Sequence, residues 1–284
     1  MQIHWMKKLR IVFYQYCKPI YILLCFPLFA HKIIFLPLKN KSFIPLQTLL
    51  HLIKMTKHGY IRAAFRSSRH NEAYIFINDK YVLLDYAPGT TNDKILHGPV
   101  LVSEGFKSLA PTIFGSYPID CAFDTDNNEA FLFHENFCAH INYAPFSGVD
   151  KLISGPKKIV DMFPFFKGTV FESGIDAAYK STRGKEAYLF KGDQYARIDY
   201  GTNNLVQSIK SIKGFTSLHG TIFESGSFDA AFASHKPNEV YIFKGEHYIR
   251  IGVTPGVAKD NVISRASRIV DYWKGLGSIL PLKN

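Results

Sequence analysis

Acidic residues are missing from the first 54 positions of this 284-residue chain, and cysteine is scarce throughout. Eight basic residues (Lys7, Lys8, Arg10, Lys18, Lys32, Lys39, Lys41 and Lys54) fall in 1–54 without one Asp or Glu. The other 26 of the 34 basic residues stand against all 23 acidic ones. The formal charge of +11 therefore belongs to one segment. A nucleic-acid-binding body, which carries its basicity across a folded surface, is excluded for residues 55–284. Four cysteines, two of them in the basic segment, exclude a disulfide-dense scaffold. No apolar run reaches the ~20 residues of a membrane-spanning helix. Lys18, Pro19 and Pro27 break 11–30, and Pro37, Lys39, Lys41 and Pro45 break 33–53. H-E-x-x-H, G-x-S-x-G, the phosphate-binding Gly-rich loop and C-x-x-C are all absent, so no enzymatic signature stands.

What is present is ample core material. A hydrophobic content of 47% with 15% aromatics excludes intrinsic disorder. Residues 1–54 differ in composition from the rest and form a non-domain N-terminal extension. Basic residues followed by apolar runs have the order of a targeting segment. The same break fits upstream sequence read through from an early start, with Met55 the true first residue, or a real appendage.

From Tyr60 onward the chain repeats itself four times, the signature to seek first. The opening phrase is IRAAF (Ile61–Phe65), IDCAF (Ile119–Phe123), IDAAY (Ile175–Tyr179) and FDAAF (Phe228–Phe232). A second follows: EAYIF (Glu72–Phe76), EAFLF (Glu129–Phe133), EAYLF (Glu186–Phe190) and EVYIF (Glu239–Phe243). After a tight turn comes a third: KYVLLDY (Lys80–Tyr86), NFCAHINY (Asn136–Tyr143), QYARIDY (Gln194–Tyr200) and HYIRI (His247–Ile251). Each phrase alternates with period two and is rich in aromatic and β-branched residues, so each is a strand. Asn78-Asp79, Lys191-Gly192-Asp193 and Lys244-Gly245-Glu246 supply hairpin turns. A less regular fourth strand is expected near Lys94–Leu96, Lys151–Ile153 and Val206–Ile209. A short helix follows in each unit, with Pro156 in its first turn. Thr112–Phe114, Thr169–Phe171 and Thr221–Phe223 then lead into the next unit.

Four four-stranded units predict an all-β, four-bladed β-propeller with a short helix per blade. The blades run about 60–114, 118–171, 174–223 and 227–280. The first strand of each blade lines a crowded axis, which calls for small side chains there. Ala63, Ala64, Cys121, Ala122, Ala177, Ala178, Ala230 and Ala231 meet that demand.

AYLFKGDQYARIDY (Ala187–Tyr200) and VYIFKGEHYIRI (Val240–Ile251) resemble the hemopexin-like repeat. Within that family, Ala63–Ile95 and MTKHGYI (Met55–Ile61) are similar to the legume seed albumin-2 group. The resemblance implies a cytosolic, non-enzymatic seed storage protein that binds calcium in its axial channel and also binds spermine and heme. It places Arg62, Asp120, Asp176 and Asp229, the second position of each opening phrase, at the calcium site, largely through main-chain oxygen. A ring of oxygens suits a hard cation. Arg62 departs from the acidic or amide residue expected there. The plainer reading is that the aspartates cap strands or pair with nearby cations.

Heme could take an axial ligand from His58, His70, His97, His134, His140, His219, His235 or His247, none in a diagnostic motif. Cys121 and Cys138 read as buried reduced thiols. The last blade has no cysteine, so the first-to-last-blade disulfide of secreted relatives is impossible, which favours the cytosol. A secretory or membrane-targeted route is the alternative if 1–54 is real. No membrane partner is expected for 55–284, and a homodimer is compatible with the sequence. The alternative function is a hemopexin-like protein–protein interaction module with no small-molecule role.

Overall fold

A computed structural model describes the backbone of Arg10–Tyr14 and Tyr21–Cys25, and residues 59–283 apart from Phe146 and Ala258. The chain divides into two compact units, 1–56 and 57–284. In the first, β1 (Arg10–Tyr14) pairs antiparallel with β2 (Tyr21–Cys25). Among the described residues no helix is long and apolar enough to cross a membrane.

The second unit is a four-bladed propeller. Blade one is β3 (Ile61–Arg66), β4 (Glu72–Ile77), β5 (Lys80–Asp85) and β6 (Lys94–Leu101). Blade two is β7 (Cys121–Asp124), β8 (Glu129–His134), β9 (Phe137–Asn142) and β10 (Lys151–Lys158). Blade three is β11 (Ala177–Lys180), β12 (Glu186–Lys191), β13 (Gln194–Asp199) and two short pieces, β14 (Asn204–Leu205) and β15 (Lys210–Ser211). Blade four is β16 (Ala230–Ala233), β17 (Glu239–Lys244), β18 (His247–Val253) and β19 (Asp260–Arg268). Every blade is an antiparallel meander in sequence order. The four innermost strands β3, β7, β11 and β16 contact one another around the axis, the last against the first.

The small residues of the opening phrase work differently from a simple lining. Alternate residues of a strand point to opposite faces of its sheet, and each face of a blade meets a neighbouring blade. Ala63 and Phe65 of blade one pack with Ala122 of blade two. Cys121 and Phe123 pack with Ala178, Ala177 and Tyr179 with Ala231, and Ala230 and Phe232 with Ala64. The core is thus four wedges between blades. Each wedge narrows toward the axis, so only Ala or Cys fits at its apex, and aromatic rings fill it further out. In every blade the aromatic ending the opening phrase stacks on one from the next strand: Phe65 on Tyr74 at 4.7 Å, Phe123 on Phe131 at 5.2 Å, Tyr179 on Tyr188 and Phe232 on Tyr241 at 5.0 Å. Such cross-strand pairs stabilise beyond their burial.

The recurring Thr-x-Phe phrase has a local cause. Thr112, Thr169 and Thr221 accept at their hydroxyls from the backbone N–H of Phe114, Phe171 and Phe223. Each donates in turn to a carbonyl three residues back at 2.7 Å. The phenylalanines so positioned are fully buried.

Two details differ from the sequence reading. Pro156 lies inside the edge strand β10 rather than in a helix. An edge strand with a register shift between Ser154 and Lys157 tolerates a residue without an N–H. The 206–209 stretch separates β14 from β15 and is not itself a strand. In blade three the short helices after the sheet are both 3-10 turns (Ile212–Gly214 and Thr216–Leu218).

With no disulfide available, polar side chains join blade four to blade one. The His235 N–H donates to the Tyr86 hydroxyl at 2.6 Å, and that hydroxyl lies 2.7 Å from His235 Nδ1. His235 Nε2 sits 3.1 Å from the Ser67 carbonyl, which assigns the proton to Nε2 and lets Nδ1 accept from Tyr86. Arg66 donates to the Ser234 carbonyl and pairs with Asp124 of blade two at 3.1 Å. The Leu282 N–H reaches back to the Gly59 carbonyl at 2.8 Å.

Burial, then the charge of Arg66 and the proximity of His70, push the His235 imidazole down to about 4, while the backbone carbonyls of Ser67 and Arg69 oppose the shift. The unfolded imidazole takes its proton near 6.5. Below that the unfolded state binds more protons, so stability is fully present above pH 6.5 and declines as pH falls toward 4. Thermal melts across this window should show the wild type losing several degrees more than His235→Gln. Parallel curves would show that His235 does not govern the junction's acid response.

Candidate functional site

The second residues of the four opening phrases lie just ahead of or within the innermost strands, so the fold does bring Arg62, Asp120, Asp176 and Asp229 to equivalent positions. Their side chains, however, already have partners. Asp176 accepts from the Gly192 N–H at 2.8 Å and from Lys191 Nζ at 2.7 Å. Asp229 accepts from the Gly245 N–H at 2.6 Å. Asp120 accepts from the Glu135 N–H at 2.8 Å, and His134 Nδ1 lies 3.4 Å from the same carboxylate. Each aspartate thereby fastens the turn between the second and third strands of its own blade. That turn begins on a residue at positive φ (49° at Glu135, 59° at Gly192, 58° at Gly245). Glycine adopts this conformation without strain, and Glu135 does so against its preference.

Blade one has no carboxylate at this position. Arg62 crosses to blade two, and its Nη2 meets Asp120 Oδ1 at 2.6 Å. Its Nε–H is buried without a hydrogen-bond partner. Burial by itself raises the Asp120 pKa. The His134 hydrogen bond, the Arg62 charge and the Glu135 N–H outweigh it and hold the carboxyl well below its usual range.

A calcium cage built from these side chains does not fit. Both oxygens of Asp120 and Asp176 are engaged by donors, and the fourth position presents a guanidinium with an unsatisfied N–H, which calls for an acceptor. Among the described residues no cluster of three or more His, Cys, Asp or Glu is arranged for a metal ion. The sequence did not reveal Lys191 or the Arg62–Asp120 pair, although Lys191, Lys244 and His134 share the register at the end of the second strand.

Several imidazoles are likewise committed. His134 Nδ1 lies 3.0 Å from the Pro118 carbonyl, His219 Nε2 3.0 Å from that of Lys213, and His235 uses both ring nitrogens. His140 stacks on Phe131 at 4.3 Å. His70 and His97 are exposed, and His58 lies outside the described residues. Cys121 and Cys138 are buried free thiols. Burial drives both thiols up, that of Cys138 to about 12, so neither supplies a thiolate.

The fold and this ring define a hemopexin-type four-bladed propeller. The hemopexin family model matches residues 175–215. Albumin-2 of Pisum sativum is 68% identical over 232 residues, which is 81% of this chain and all of the relative. A plant albumin from Cicer arietinum showing hemagglutination superposes with a TM-score of 0.77 at 67% identity, covering 79% of this chain and all of that one. A Cicer arietinum plant lectin with two metal-binding sites gives 0.77 at 68% identity over the same shares. The chain belongs to the legume seed albumin-2 family of hemopexin-fold proteins.

The depressed Asp120 carboxyl contributes stability that is present above the ordinary carboxylate value near 4 and is lost as pH falls through its folded value. Asp120→Asn should cost about 1.5–3 kcal/mol at neutral pH, the scale of a hydrogen bond to a charged group. In denaturant titrations the gap from wild type should shrink steadily below pH 4. A gap as wide at pH 2 as at neutral pH would contradict the assigned role of the charge.

Proposed function

We propose that this seed albumin is a non-enzymatic reserve of amino acids whose axial channel takes Ca²⁺ only weakly. The albumin reading rests on 68% identity across the whole length of Albumin-2. The weakness rests on one contact, Arg62 to Asp120 at 2.6 Å. A calcium ion on the axis would be held by main-chain oxygens of Arg62, Asp120, Asp176 and Asp229, and its chemistry there would be to join the blades. Three carboxylates would otherwise give the mouth a strong negative field. Arg62 and Lys191 cancel most of it, and carbonyl oxygens alone make a low-charge site.

Spermine and heme belong to the same proposal. A polyamine must compete with Arg62 and Lys191 for the ring carboxylates, and heme must find an imidazole outside those already bonded. Action in the cytosol and a homodimeric state complete this reading. A second reading, docking on a partner through the propeller surface, draws support from the hemagglutinating Cicer arietinum albumin.

Calorimetric titration of Ca²⁺, and separately of spermine, into wild type and Arg62→Asn tests the channel. Removing the Arg62 charge from the ring should tighten both cations roughly five- to ten-fold. Unchanged affinities would mean that the channel is not their site.

A further inference from the structure

Three of the four wedges between blades are sealed by a tyrosine that follows the third strand. Tyr143 of blade two lies against Phe65 and Tyr74 of blade one at 5.1 and 5.4 Å and accepts from the Ser68 N–H at 2.7 Å. Tyr200 of blade three packs on Phe123 at 6.0 Å and reaches Asp126. Tyr86 of blade one meets Phe232 and Tyr241 of blade four at 5.1 and 5.6 Å and closes on His235. In each case the tyrosine follows Asp or Asn: Asp85-Tyr86, Asn142-Tyr143 and Asp199-Tyr200. Blade four carries Gly252-Val253 instead. The wedge between blades three and four therefore lacks the sealing tyrosine of the other three.

A cavity of about 60 Å³ opens at that place, several times what one water needs by the same measure. Tyr179, Tyr188, Tyr195 and Phe215 line it, with Val253 across from them. Tyr179 is 1% exposed, and its hydroxyl has no hydrogen-bond partner. The equivalent residues of the other blades are Phe65, Phe123 and Phe232, so only blade three places a hydroxyl there. A buried hydroxyl left unpaired is costly unless a hydrogen-bonding group occupies the space beside it. The charged lining is lopsided. Arg197 is matched by Glu186 in a two-point pair at 2.7 and 3.1 Å. Asp260 is saturated by the backbone and hydroxyl groups of Thr216 and Ser217. Lys210 and Lys259 stand exposed at the rim, so the two lysines outweigh Asp260 by one positive charge.

We propose that the wedge between blades three and four is a binding site for a small aromatic acid bearing a ring hydroxyl. The ring would take the place that Tyr86, Tyr143 and Tyr200 occupy in the other wedges and pack against Tyr179 and Tyr188. Its hydroxyl would pair with Tyr179 Oη, and its carboxylate would lie toward Lys210 and Lys259. This site is separate from the axial channel, and its positive rim disfavours a polycation.

The probe is 4-hydroxybenzoate, titrated calorimetrically into the full-length protein. Wild type should bind it saturably at one site, and at least ten-fold more tightly than 4-hydroxybenzylamine. Val253→Tyr, which supplies the missing ring from within, should abolish binding and raise the melting temperature. Tyr179→Phe should keep the fold, weaken 4-hydroxybenzoate several-fold and leave benzoate nearly unchanged; this arm decides the matter if Val253→Tyr folds poorly. Absence of saturable binding by wild type overturns the proposal. So does undiminished binding by a folded Val253→Tyr, equal binding of the amine, or equal losses for both acids in Tyr179→Phe.

Discussion

Four sheets meeting at one axis leave little room where they meet, and that crowding sets the rest of the architecture. The apex of each wedge between blades admits a methyl group or a thiol, hence the paired small residues Ala63/Ala64, Cys121/Ala122, Ala177/Ala178 and Ala230/Ala231, all at most 1% exposed. Their close approach brings the larger rings into register farther out. It also makes the core a cycle of four wedges instead of one central mass. A cycle has no terminal repeat, so each wedge is supported on both sides, unlike the open stack of a solenoid.

Closing the cycle without a covalent link falls to side chains of high directionality. Tyr86, His235, Arg66 and the Gly59–Leu282 backbone contact bring the two ends of the propeller together. The same economy governs the axial ring. An aspartate placed just before the innermost strand fastens the nearest hairpin of its blade, so its charge is used for structure before any ligand arrives. Arg62 adds a bond between blades one and two. An ion pair of this kind, with side chains 16% and 23% exposed, is partly shielded from water, where its geometry matters more than in a solvated pair.

Much of this was legible in the sequence. Four copies of an alternating phrase locate the strands because period-two burial leaves a direct imprint on residue type. The alanine pairs point to a narrow axis, although not to the finer fact that each alanine faces a different wedge. What was not legible depends on contacts between blades, which repeat spacing does not encode. Arg62 registered as a departure from the pattern, but its crossing to Asp120 depends on the inter-blade geometry. Tyr86 and His235 lie 149 residues apart and carry no local signal of their union. Pro156 followed a sound helix-start rule and was overridden by the tolerance of an edge strand for proline. The missing tyrosine of blade four was visible as HYIRI against three phrases ending in Tyr, yet only the packed wedge shows that a ring is absent there.

The central claim is that the propeller is one closed cycle whose wedges stand or fall together. Native-state hydrogen exchange on the innermost strands β3, β7, β11 and β16 tests it most directly. A closed cycle predicts that their most protected amides exchange through a single opening, with free energies alike to within about 1 kcal/mol and close to that of global unfolding. Exchange from β3 and β16 through a separate opening several kcal/mol easier than that of β7 and β11 would show that the ring parts at the junction of blades four and one, and would contradict the account.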